Sequence, residues 1–514
     1  MADLKNNDLN SIESLPVEQN LLPNKKPSIE LDPDLKSLVF TTNDNIFLCG
    51  PGGTGKSEQL KLVYHHALAM EMKAYICAPT GTAAVNVGGS TIHRLFKLGL
   101  ADKPADVILK IIYSHTEALE RIRSMELLLI DEISMLGEDI LDLLDYIAKS
   151  IRRNKKPLGG IQLVASGDFA QLPPVKDRYC FLSSVWGELD FAVIKFTNPY
   201  RFNNKEHFDF LSRIRLGEQT HEDIQKLWKR QEAYTKAIET KQFEKEEIKP
   251  TKIYSLRKDV EKENNDELAK LPGKISYYKA KDSFIPKKYK REAASRDSES
   301  EKQYSTYMDT TVAQMLILKP DCQVMLTSNL DLDNGLCNGS RGVVKECFPD
   351  GVQILFKNGQ NLKILNQEYK YSDEKMTIKR LQLPLIVAYS LTIHRIQGAS
   401  LDYCIMDIGS SIFGPAMAYV SLSRVRSLEG IYLISFSPRK IYADKIALQF
   451  EKAINSLLTS QEFSLDDDTI LEVEKEFERQ SEHIRVLESV EEDHTIVKNI
   501  TKLSIIEEPE IIFD

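Results

Sequence analysis

The chain of 514 residues is 42% apolar, 28% charged and 8% aromatic, which is globular composition at a length too great for a single core. No apolar run reaches the ~18 residues that a membrane span requires. The net charge of −9 is unevenly spread: residues 461–514 carry 17 Asp/Glu against 5 Lys/Arg, residues 1–40 carry 7 against 4, and the body at 41–460 is left at +6. A mildly basic body permits a polyanionic partner. The seven cysteines are scattered without a C-x-x-C pair, which argues against a disulfide framework or a zinc site. The first twenty residues lack the apolar core of an export signal, so an intracellular, non-secreted protein with no membrane contact is expected.

In chain order, short β-rich apolar runs alternate with helical patterns. NIFLCG (45–50), AYICAP (74–79), LLLIDE (127–132) and IQLVASGD (161–168) predict a parallel sheet covered on both faces, one α/β lobe over 41–200. The same pattern returns with KIYSL (252–256), QVMLTSN (323–329), LIVAYSLTIH (385–394), YCIMDIG (403–409) and IYLISF (431–436), predicting a second lobe over 201–455. Residues 281–305 are charged and nearly free of aliphatics, and are expected to form a loop; PKKYKR at 286–291 is also a candidate phosphate contact or nuclear import signal. Residues 331–384, with the turn Pro349-Asp350-Gly351 between β-rich runs, predict a small antiparallel β insertion. The 456–514 tail is acidic, with apolar residues at heptad-like spacing between Ile470 and Leu487 that predict a short amphipathic helix.

GPGGTGKS (50–57) follows a strand and opens a helix, the context in which a glycine loop cradles phosphate. Gly50, Gly52, Gly53 and Gly55 let backbone N–H groups turn inward, Lys56 neutralises the β/γ-phosphates, and Ser57 is suited to ligate Mg²⁺. Asp131 and Glu132 end a buried strand at its carboxyl edge, where one can hold the metal and the other can polarise water. Asp168 and Gln171 follow the next strand, and the Gln171 amide both donates and accepts. These residues specify a nucleoside triphosphatase without saying what the energy drives.

Six further blocks say more. They are APTGTAAVNVGGSTIHRLF (78–96), GDFAQLPPV (167–175), NPYRF (198–202), NGSRGVV (338–344), LTIHRIQGASLD (391–402) and AYVSLSRVRSLEGIYL (418–433). In this order, over about residues 42–455, they closely resemble the Pif-one (petite integration frequency) DNA helicases, the 5′-to-3′ branch of superfamily 1 with RecD and Dda types. The resemblance implies an α/β fold of two RecA-like P-loop NTPase lobes with parallel sheets, plus a small SH3-like insertion at about 331–384. It implies ATP and Mg²⁺ between the lobes, single-stranded DNA across them, and a strand-separating wedge in the slot 97–124. Thr54 and Gly398 join the nucleotide-binding set, and Arg201 and Arg424 match the arginines sent to the γ-phosphate. Thr80, His93, Pro173, His394, Gln397 and Ser400 match the family's DNA contacts.

The implied activity is an ATP-dependent 5′-to-3′ helicase acting on single strands and forks in replication, repair or recombination. A translocase that strips proteins without unwinding shares every motif, and an RNA helicase is open. A monomer is expected, in the nucleus or at a viral replication site, with the acidic tail offered to a replication partner. The chain departs from the family in three places. The glutamine placed upstream of the P-loop to read adenine is missing from LDPDLKSLV (31–39), Arg395 stands where many members have lysine, and GPAMAYVSLSR replaces GQAYVALSR.

Overall fold

The computed structural model describes residues 30–286, 312–458 and 504–506, apart from positions 100, 176, 203, 247, 329, 332–335, 337–338, 373–375, 398–400 and 402. Ile46–Cys49 (β1), Ala74–Ala78 (β2), Ser90–Thr91 (β3), Leu127–Ile130 (β4), Gln162–Ser166 (β5) and Ala192–Lys195 (β6) form a parallel sheet in the order β6-β1-β5-β4-β2-β3. Every residue of β1, β4 and β5 is buried, as a parallel strand covered on both sides requires. The period of two sorts their side chains cleanly. Phe47, Leu128, Ile130 and Leu163 enter one core, and Ile46, Leu48, Leu129 and Val164 enter the core on the opposite face.

Both ends of the expected first lobe extend past 41–200. Pro33–Ser37 is a helix capped by the Asp32 carboxylate; it and the π-helical turn Leu38–Thr42 plant Leu35, Leu38 and Val39 in the second of these cores, so this stretch belongs to the lobe rather than to a separate 1–40 segment. Lys445–Leu458, expected in the second lobe or at the start of the tail, is a helix whose Ile446, Ala447, Phe450, Ala453 and Ile454 lie in the first core. Its Phe450 ring stacks 4.2 Å from Phe181 and meets Phe169 edge-on at 5.0 Å. Tail residues Ser504–Ile506 pair parallel with β6; the amphipathic stretch 470–487 lies outside the described residues.

The second lobe holds a four-stranded parallel sheet in the order Ser390–Thr392, Thr251–Tyr254, Cys404–Ile408, Ile431–Phe436. Its core includes Ile253, Leu391, Met406 and Leu433, with Phe210, Leu211 and Ile214 from the helix Lys205–Leu216. The β insertion is larger than 331–384. Its five-stranded antiparallel sheet runs Asn361–Leu365, Gly351–Phe356, Arg341–Phe348, Gln323–Leu326, Leu385–Val387. QVMLTSN thus supplies an antiparallel strand rather than one of the parallel set, and LIVAYSLTIH divides between the two sheets. Lys281–Pro286, expected as loop, is a strand against Met376–Gln382; Arg380, fully buried, grips Asp282 at 2.7 Å through two nitrogens. Residues 287–311 lie outside the described residues. The slot 97–124 contains two helices, Ala105–Tyr113 and Thr116–Ser124. Among the described residues no helix is long and apolar enough to cross a membrane.

Candidate nucleotide and DNA site

The glycine loop leaves the carboxyl end of β1 and feeds the helix Lys56–Ala69. At Gly50, φ is +129° and a Cβ would sit 2.2 Å from the Phe196 carbonyl oxygen, so only glycine fits. Gly53, at φ +89°, brings the loop against Arg201, whose Cβ is 2.8 Å from where a Gly53 Cβ would be. Lys56 Nζ donates to the Gly50 and Pro51 carbonyls at 2.8 and 2.9 Å, and Thr54 Oγ1 donates to Pro51 O. Burial pushes the Lys56 ammonium down, against the pull of Asp168, Glu132 and Asp131. Gly55 and Ser57 complete the loop; Gly398 lies outside the described residues.

Asp131 follows β4 directly and accepts from Ser57 Oγ at 3.0 Å and from Ser166 Oγ at the end of β5. Burial raises the Asp131 carboxyl while the two hydroxyls and Lys56 oppose it. Burial also raises Glu132, with the Asp131 charge acting in the same direction. Glu132 has φ +52°, a left-handed conformation that a glutamate adopts only under constraint from its surroundings. A hydroxyl and a carboxylate side by side are the oxygen donors that Mg²⁺ takes, so Ser57 and Asp131 fit the metal.

Residues from both lobes meet at Gly52. A Cβ there would lie 3.4 Å from Gln171 Nε2, 3.5 Å from the Tyr419 hydroxyl and 3.7 Å from Arg424 Nη2. The Gly52 N–H donates to that Tyr419 hydroxyl at 3.1 Å. Gln171 is almost fully buried and donates to Asp168 Oδ2 at 3.1 Å. Arg424 is held by Val420 O and Ser423 Oγ, both at 2.8 Å. Arg201 Nη1 approaches Ser423 O at 3.4 Å; burial and the adjacent Arg424 charge push its guanidinium down to about 9.

The DNA set is placed less uniformly. Thr80 Oγ1 accepts from Ala83 N at 3.3 Å at the head of the helix Gly81–Asn86, His93 lies on the helix Ile92–Phe96 with its ring pushed down by burial, and Pro173 is part-exposed two residues past Gln171. His394 belongs to the short turn Ile393–Ile396, and Ser400 lies outside the described residues. Gln397, expected at DNA, is 6% exposed, and its amide donates to Glu132 Oε2 at 3.4 Å. Sequence reasoning missed Ser166, Tyr419 and Arg215. Tyr419 shares a block with Arg424 and could have been found there, whereas Arg215 has no local signal. Upstream of the loop, Leu35 is fully buried, and Gln59 fixes the segment by donating to Glu30 O at 2.7 Å and accepting from Asp32 N at 3.0 Å.

Residues 31–223 match the family model of the PIF1-like helicase, and residues 305–347 match that of the DNA helicase Pif1 2B domain. The ATP-dependent DNA helicase PIF1 of Danio rerio is 32% identical over 465 residues, covering 87% of this chain and 68% of the relative. The helicase of the same name from Bdellovibrio bacteriovorus is 32% identical over 438 residues, covering 84% and 93%. Among solved structures, the Pif1 helicase of Candida albicans superposes with a TM-score of 0.67 at 28% identity, over 80% of this chain and 96% of that one. Bacteroides Pif1 bound to single-stranded DNA gives 0.58 at 26%, over 83% and 98%.

Proposed function

The chain belongs to the PIF1-like family as an ATP-dependent DNA helicase, and from that premise we propose that it moves 5′-to-3′ along single-stranded DNA and opens forked duplex by closing its two lobes on ATP. The observation that carries the mechanism is the convergence of Gln171, Tyr419 and Arg424 on the Gly52 backbone. Two of these three come from the second lobe, so binding phosphate at this loop draws the lobes together.

The N–H groups of 52–57 and Lys56 hold the phosphates, and Arg201 and Arg424, charged at neutral pH, place positive charge where the loose transition state spreads negative charge. Ser57 and Asp131 would hold Mg²⁺, which when bound would supply further positive charge to the phosphates. Glu132 orients the attacking water and takes its proton, a task served by a carboxyl raised from its ordinary range. Gln397, bonded to Glu132 from the block that also carries His394, ties that carboxylate to the DNA side of the second lobe. Loss of the γ-phosphate frees both arginines and lets the lobes part, advancing the strand grips formed by Thr80, His93, Pro173 and the 394–400 segment. The helices at 105–124 serve as the wedge. The setting is replication, repair or recombination, in the nucleus or at a viral replication site, with the protein acting as a monomer.

The test is ATP hydrolysis with Mg²⁺, with and without single-stranded DNA, beside forks carrying only a 5′ or only a 3′ tail. Strong stimulation with unwinding of the 5′-tailed fork alone is expected. Unwinding of the 3′-tailed fork refutes the polarity, and stimulation without unwinding leaves a translocase.

A further inference from the structure

Behind the nucleotide site, a buried group of charges joins three distant parts of the chain. Arg215 sits in the last turn of the helix Lys205–Leu216, which otherwise packs in the second lobe, yet its guanidinium reaches the first. Nε lies 3.0 and 3.1 Å from the two Asp168 carboxylate oxygens and Nη2 lies 2.7 Å from Oδ1. On its other side Nη2 donates to Glu451 Oε2 at 2.8 Å and Nη1 to Oε1 at 3.3 Å. Lys195 Nζ, at the end of β6, donates to Glu451 at 3.0 Å. Arg215 and Asp168 are 3% and 2% exposed, so these contacts are made away from water, where their geometry is stiff. Burial alone would raise the Glu451 carboxyl, but Arg215 and Lys195 hold it down at about 2.

The group ends on Gln171. Asp168 Oδ2 accepts from Gln171 Nε2 at 3.1 Å, Asp168 Oδ1 accepts from Ala170 N at 3.1 Å, and Asp168 O accepts from Gln171 N at 2.9 Å. The direction of the Gln171 amide is therefore set by Asp168, and Asp168 is gripped by an arginine of the other lobe. A structural clip between lobes would need only the ion pair. Here the same carboxylate that receives the arginine also orients the amide that points at Gly52.

We propose that Arg215 is a positioning residue for ATP hydrolysis: through Asp168 it aims Gln171 at the γ-phosphate and makes that aim depend on the placement of the second lobe. The proposal rests on the assignment of Gln171 to the γ-phosphate. Lysine at 215 keeps the charge but lacks the planar fork that spans Asp168 and Glu451. Gln171→Ala removes the aimed group itself.

The experiment is a double-substitution cycle on the full chain, read as DNA-stimulated kcat and KM for ATP, with melting curves alongside. Arg215→Lys is expected to lower kcat about tenfold with KM within about twofold. Gln171→Ala is expected to lower it at least as far, and the double variant no further than Gln171→Ala alone, since the arginine acts through the glutamine. Multiplying losses in the double variant, or a fall in Arg215→Lys confined to melting temperature, overturn the proposal. Full turnover in Gln171→Ala instead overturns the γ-phosphate assignment, which separates the two failures. Glu451→Gln, which keeps an acceptor for Arg215 but loses the charge, enters the same cycle if the lysine variant does not fold, with about a threefold loss of kcat expected on the same reasoning.

Discussion

Arg201→Gln is expected to act in opposite directions on stability and on turnover. Burial and the Arg424 charge, with Arg426 adding to them, push the Arg201 guanidinium from 12.5 to about 9, so it is still charged at neutral pH but held there at a cost. At about 1.36 kcal/mol per pH unit, a fall from 12.5 to about 9 is worth at most ~5 kcal/mol. Part of the side chain remains in water, and screening reduces this to about 1–2 kcal/mol. The sign follows from proton binding: the folded chain binds the proton less tightly than the unfolded one, so the penalty is complete below about pH 9 and fades as pH rises towards 12.5. Glutamine removes the charge and, with it, only the weak 3.4 Å contact to Ser423 O. Without nucleotide, Arg201→Gln at pH 7.5 should therefore melt about 1–2 °C above the parent, since 514 residues unfold with about 1.1 kcal/mol/K of entropy. Its DNA-stimulated ATP hydrolysis should fall by about 10³-fold or more, the usual worth of an arginine at a transferring phosphoryl group. Scanning fluorimetry and a coupled ATPase assay read both quantities. A variant that melts lower than the parent, or that turns over ATP at the parental rate, refutes the argument.

Lys56→Ala and Glu132→Gln should each abolish ATP turnover while single-strand affinity, read by fluorescence anisotropy, stays within about threefold; full DNA-stimulated turnover in either would remove them from the site. Phe450→Ala should cost about 3–5 kcal/mol in urea unfolding, because the ring fills space against Phe181, Phe169 and Trp186 that no neighbour can reoccupy. A loss below ~1 kcal/mol would mean that its helix does not dock on the first lobe. Truncation after residue 458 removes the acidic segment and should tighten single-strand binding at low salt, with the gain shrinking as salt rises; unchanged affinity dismisses competition between tail and DNA.

What was legible in the sequence had local signals. The glycine loop follows a strand and opens a helix within a dozen residues, and Asp131-Glu132 closes an apolar run, so both could be placed from their neighbours alone. Gln323–Leu326 could not, because an apolar run of four looks the same in a parallel or an antiparallel sheet, and its partners Arg341–Phe348 and Leu385–Val387 decide the matter. The helix Lys445–Leu458 shows its amphipathic face openly, but nothing in 14 residues says which lobe's cavity receives Phe450. Arg215 is the extreme case: its partners stand 47 and 236 residues away, and the meaning of the arginine exists only once the chain has folded. For Gln397, the motif pointed to its neighbourhood, but its bond to Glu132, 265 residues away, exists only in the folded chain.

The helix Lys445–Leu458 returns to the first core after the chain has built the whole of the second lobe, so the polypeptide crosses between the lobes twice. The outward passage leaves β6 and reaches the helix Lys205–Leu216; the return runs past the end of that helix, where a Gly217 Cβ would lie 3.5 Å from Ala443 N and Gln219 donates to Ile441 O at 3.1 Å. Two bodies joined by one thread can tumble freely, whereas two connections, one entering the helix Lys205–Leu216 at its start and one passing its far end, limit how the lobes can turn on each other. Cutting either crossing with a site-specific protease is therefore expected to widen the range of lobe orientations, which small-angle scattering of the nicked chain would read.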